Sequence, residues 1–136
     1  MELPSGQDPS GAPGRLFDPD PELQDLPSAQ LVAMAAATGR SVLRRGRALM
    51  ELGRRASSDT MLLQQTAALI RDPANQRSIT AGTVTVSQLG AAGLIAGGSE
   101  PAAALARELA AQWPPGERSD FAWLISSLRP AYPPQD

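Results

Sequence analysis

The residues best placed to do chemistry are five arginines, Arg40, Arg44, Arg47, Arg54 and Arg55, separated by 4, 3, 7 and 1 positions. On an α-helix that spacing gathers them on one face with Glu51 among them, while Val42, Leu43, Leu49, Met50 and Gly53 fall mostly on the other side. Each guanidinium offers a planar fork that matches a carboxylate or a phosphate. The stripe suits an acidic protein segment or, alternatively, nucleic-acid phosphates; its plainest role is a solvated helix face. A pI near 5.1, no Lys and 4% aromatic residues rank the acidic protein partner above nucleic acid, which calls for a broad basic footprint. A second candidate anchor is Trp123, about 200° around its helix from Phe121 and so off that helix's apolar stripe.

Composition excludes much else. The chain has no Cys and no His, and all 12 of its basic residues are Arg. Imidazole and thiolate mechanisms, zinc sites, disulfides, Schiff-base lysines and phosphate-loop lysines therefore have no residues to use. Eight Asp and six Glu are present, yet no two form an inward-facing pair on one helix, as a carboxylate mechanism or metal cluster requires. The expectation is a non-enzyme with no catalytic residue, no cofactor and no metal.

The elements that must position the arginines are punctuated by caps and breakers. Pro27-Ser28 opens an apolar run from Leu31 to Ala37, closed by Thr38-Gly39; a second segment runs from about Ser41 to Arg55. Ser57-Ser58-Asp59 is a plausible N-cap cluster for a helix from Thr60 to Arg71, which Asp72-Pro73 stops. After a Thr-, Ser- and Gly-rich connection come Val84 to Ala96 and then a helix from Ser99 and Pro101 to Trp113. Pro114-Pro115-Gly116 breaks that helix, and Ser119-Asp120 introduces Phe121 to Leu128. Ala102, Leu105, Ala106, Leu109 and Trp113 share one helical face, as do Phe121, Leu124, Ile125 and Leu128. The 23 Ala suit helices packed closely through small side chains.

Thr83-Val84-Thr85-Val86 alternates as a strand would, but helix from about Thr85 is favoured because a lone strand has nothing to pair with. The 22 residues from Ser78 to Ser99 carry no charge, long enough for a membrane span. Their Gln88, Thr, Ser and Gly content makes the hydrophobicity marginal, so a buried helix is the better reading. A helix-turn-helix over Thr85 to Gln112 would offer only Arg107, Glu108 and Gln112 as base readers, too few for direct readout.

The chain also echoes itself. Leu49-Met50-Glu51-Leu52-Gly53, followed by Asp59 and a helix to Asp72, parallels Gly93-Leu94-Ile95-Ala96-Gly97, followed by Glu100 and a helix to Trp113. The offset of 44 to 41 residues suits an array of helical hairpins. An Arg-bearing helix ending Arg47-Ala48-Leu49-Met50-Glu51-Leu52-Gly53, a turn with Asp59, a helix ending Ala67-Ala68-Leu69-Ile70 and then Asp72-Pro73 together resemble the HEAT-repeat family, over roughly Leu31 to Leu128. The resemblance implies an all-α array of antiparallel helical hairpins serving as a scaffold and partner-binding surface, without catalysis. Open ends of such an array leave room for a homo-oligomer.

The expected organisation is a disordered acidic arm over 1–26, a helical-hairpin domain over 27–129 and a flexible tail over 130–136. Residues 1–28 hold six Pro and three Gly, with Glu2, Asp8, Asp18, Asp20, Glu22 and Asp25 against Arg15 alone. Without a basic start and apolar run they do not read as a secretory signal, so a cytoplasmic protein is expected. The acidic arm and the Arg stripe are expected to meet weakly and dynamically, so that deleting 1–26 would leave the melting temperature nearly unchanged.

Overall fold

The computed structural model describes residues 20–37, 39, 41–81 and 83–128, and among these the fold is mostly helical. Its eight helices are α1 (Pro21–Gln24), α2 (Ser28–Ala36), α3 (Val42–Arg55), α4 (Thr60–Arg71), α5 (Pro73–Arg77), α6 (Val86–Ala96), α7 (Glu100–Ala110) and α8 (Pro115–Leu128). A 3-10 turn, Ala56–Ser58, joins α3 to α4, and two short strands, β1 (Ile79–Ala81) and β2 (Val84–Thr85), precede α6.

The caps set these boundaries. Asp59 accepts the Leu62 amide at 3.1 Å to start α4, and Ser99 accepts that of Ala102 at 3.2 Å to start α7. Asp72 both ends α4 and starts α5, accepting the Ala74 amide at 2.9 Å. At the head of α6, Thr85 Oγ1 accepts the Gln88 amide at 3.1 Å while Gln88 Oε1 accepts the Thr85 amide at 2.9 Å, a reciprocal capping box.

Three sequence expectations change. The strand-like alternation before α6 is a real strand at Val84–Thr85, because Ile79–Ala81 supplies the missing partner: Ile79 lies opposite Thr85 and Ala81 opposite Val84 in an antiparallel pair. The last helix starts at Pro115, four residues before Ser119. A proline at the first helical position loses no hydrogen bond, so the same Pro-Pro-Gly that ends one helix starts the next. Within the segment expected to be a disordered arm, Pro21–Gln24 form a helical turn with Leu23 buried.

The core is organised around α6. Every residue from Val86 to Leu94 is buried, and the helix is enclosed by α3, α4, α5, α7 and α8. An all-round apolar helix belongs in such a position. No helix among the described residues is long and apolar enough to cross a membrane. The closest approach is to α3, where glycines replace side chains. A Cβ on Gly53 would lie 2.6 Å from the Leu94 amide nitrogen and 2.7 Å from the Gly90 carbonyl oxygen. Gly46 abuts Leu89, Leu49 abuts Gly90 and Gly53 abuts Leu94, so α3 and α6 run in the same sense. The helical stripe expected on α7 and the turn after it is buried at Ala102, Ala106, Leu109 and Trp113. Trp113 meets Phe121 of α8 edge to face, with ring centroids 5.3 Å apart.

Candidate functional site

The Arg stripe lies on α3, and the structure brings three of its five members, Arg44, Arg47 and Arg55, against α1 and its flanking residues, while Arg54 pairs with Glu51 on α3 itself. Arg40 falls outside the described residues. Glu51 is buried on the same helix, with Arg54 Nη1 at 2.6 Å from Oε1 and Arg55 Nε at 3.0 Å from Oε2. These two contacts at i+3 and i+4 orient both guanidiniums.

The rest of the Arg55 fork leaves its own helix. Nη1 donates to the Leu26 carbonyl at 2.6 Å and to Ser28 Oγ at 3.2 Å. Nη2 donates to the carbonyls of Leu23 and Gln24, both at 3.0 Å. Carbonyls at the end of a helix have no intrahelical donor, and a cation there also complements the helix dipole. Arg55 therefore acts as the C-terminal cap of α1 and fixes the link to α2.

The other end of α1 is held by charge. Asp20 caps the helix by accepting the Glu22 amide at 3.0 Å, and its Oδ2 lies 3.7 Å from Arg47 Nη1. Glu22 Oε1 accepts from Arg44 Nη2 at 3.0 Å. Leu23 sits between these polar anchors, buried. A hollow of about 230 Å³ lined by Asp20, Ser41, Leu43, Arg44 and Arg47 opens beside the ion pairs. Leu43 is 38% exposed, which leaves an apolar edge next to two guanidiniums.

Arg45, absent from the sequence-derived stripe, is the residue that pattern reading missed. It is buried and points away from α1, donating from Nη2 to Asn75 Oδ1 and from Nη1 to Ser78 Oγ at 3.3 Å. Asn75 in turn donates to the Leu69 carbonyl at 2.9 Å. Arg45 thus ties α3 to α5 and to the turn before β1. Its signal was in the sequence: Arg45 stands at i−4 from Leu49 and i−7 from Leu52, two fully buried positions.

Trp123 is half exposed, 54%, on α8, which packs mainly on α6 and β2. It belongs to a different surface from the arginines of α3. Among the described residues no cluster of three His, Cys, Asp or Glu is placed to hold a metal ion. No family model, no curated protein and no solved structure matches this chain.

Proposed function

We propose that this protein is a non-catalytic interaction module whose Arg-lined face on α3 takes an acidic segment of a partner protein. The observation that carries this reading is α1 itself. A short segment with the sequence Asp-Pro-Glu-Leu-Gln-Asp occupies that face by two ion pairs, one buried leucine and a guanidinium cap on its last carbonyls. The face thus presents what an acidic helical turn with one apolar anchor needs, and α1 is its resident occupant in the same chain. Carboxylates and carbonyls already satisfy these forks in the chain, which favours an acidic protein segment over nucleic-acid phosphates.

The scaffold reading, a short HEAT-like array in the cytoplasm, rests on two relationships. The helices matched in the internal repeat, α3 and α6, run in the same sense. Their hairpin partners α4 and α7 also touch. Parallel stacking of equivalent helices is how hairpin arrays propagate.

The test uses a fluorescein-labelled peptide carrying residues 18–28 of this sequence. It should bind the full chain weakly, and bind more tightly to a Leu23→Ala chain in which the resident segment is loosened. The Arg44→Glu and Arg47→Glu changes should abolish binding in both backgrounds. Equal binding to all forms, or none to any, removes the reading; tighter binding of duplex DNA than of the peptide replaces it with the nucleic-acid alternative.

A further inference from the structure

A second cleft lies where the C-terminal ends of α4 and α5 and the turn after α7 meet the first turn of α8. Its volume is about 310 Å³, at the small end of the range for ligand sites. Leu109 and Trp113, 2% and 7% exposed, form its floor. Arg71 and Arg77, in the last turns of α4 and α5, stand on its wall with Gln112, and Glu117 supplies a single carboxylate.

The two guanidiniums set the chemistry. Arg71 and Arg77 are exposed, and neither guanidinium has a carboxylate or hydrogen-bond acceptor among the described residues. An arginine in a last turn complements its own helix dipole. That accounts for each residue singly, but not for two helix ends converging on one cleft with an apolar floor. The floor and the α8 side are fixed: Trp113 is held edge to face by Phe121, and Gln88 Nε2 donates to the Glu117 carbonyl at 3.1 Å, pinning the start of α8 to α6. A rigid recess with two free forks and one opposing acid is complementary to a single negative charge carried on a compact apolar body.

We infer that this cleft is a binding site for a small organic monocarboxylate, with Arg71 and Arg77 as the anion-binding forks and Trp113 and Leu109 as the apolar seat. It is separate from the face of α3 and does not rest on the function proposed for that face.

The experiment reads Trp113 fluorescence in the full chain carrying Trp123→Phe, which leaves a single tryptophan. Phenylacetate, the probe, should change the emission saturably with a dissociation constant on the order of 1 mM, as a ligand of that size allows. Phenylacetamide, equal in shape and uncharged, should bind about tenfold more weakly, as should phenylacetate to the Arg71→Gln, Arg77→Gln chain. Glu117→Gln, which removes the opposing charge, should tighten phenylacetate binding and gives a readout independent of whether the double variant folds. No saturable response, equal binding of amide and acid, or affinity unmoved by Glu117→Gln would each overturn the assignment.

Discussion

Gly53 of α3 and Gly93 of α6 meet backbone to backbone: a Cβ placed on Gly53 would lie 2.8 Å from the carbonyl carbon of Gly93. A Cβ on Gly93 would run into the Met50 carbonyl oxygen. Backbone atoms of two packed helices cannot rotate aside as a side chain can, so the helices themselves must separate. Gly93→Ala should cost about 3 kcal/mol, the upper part of the range for overpacking. Gly116→Ala, where nothing lies within 4 Å of the added carbon, should instead be neutral or stabilise by up to about 1 kcal/mol. Chemical denaturation of the two variants checks both signs, and equal stability would disprove the close crossing.

Arg55→Lys is predicted to release α1. Lysine keeps the charge but cannot serve Glu51, Ser28 and the carbonyls of Leu23, Gln24 and Leu26 at once. Charge-assisted hydrogen bonds contribute about 1.5–3 kcal/mol each when buried, and Arg55 keeps 22% exposure, so a net loss of about 2 kcal/mol is expected. Native-state hydrogen exchange should show the amides of residues 22–26 losing protection while those of α6 keep theirs. Uniform loss across the chain would mean that Arg55 supports the whole fold and not α1 in particular.

The glycine crossing and the Arg55 cap differ in how far the sequence announced them. Amphipathic stripes on α7 and α8 are periodic signals, so Leu109, Trp113, Phe121 and Leu124 were legible as core. Asp59 and Ser99 were legible as caps because their chemistry is local. The strand pairing was not, local as it is: nothing in Ile79-Thr80-Ala81 states that it will pair with Val84–Thr85 until the chain is seen to turn back. Helical spacing put Arg44, Arg47, Arg54 and Arg55 together on one helix, and Arg44, Arg47 and Arg55 contact residues 20–26. Their use was hidden, because a carbonyl acceptor such as that of Leu23 leaves no trace in residue type.

Arg45 gives a test of burial against charge. Asn75→Ala would leave its guanidinium buried with Ser78 alone among the partners now present, at a cost of about 2–3 kcal/mol. Arg45→Met fills similar space without a charge and should cost less. The Arg45→Met, Asn75→Ala double variant should then be more stable than the sum of the single changes implies, a positive coupling in a double-mutant cycle. Strict additivity would show that the two side chains do not depend on one another.

The last prediction reverses an expectation drawn from charge alone. Electrostatic attraction between exposed groups predicts that removing residues 1–26 leaves the melting temperature nearly unchanged, and for the Glu22 to Arg44 pair that logic holds. Its side chains are 71% and 44% exposed, so Glu22→Gln should change stability by less than about 1 kcal/mol, and by less still in high salt. Leu23 is another matter, being 1% exposed; burying a leucine contributes about 1.5–3 kcal/mol. Removal of residues 1–26 also strips the carbonyl partners from Arg55, leaving a half-buried guanidinium with Glu51 and Ser28. Truncation should therefore lower stability by about 3 kcal/mol, most of it reproduced by Leu23→Ala and little of it by Glu22→Gln, with scant dependence on salt. If thermal melts instead show truncation matching Glu22→Gln, and both effects vanishing together at high salt, the attachment of α1 is electrostatic and Leu23 is a bystander.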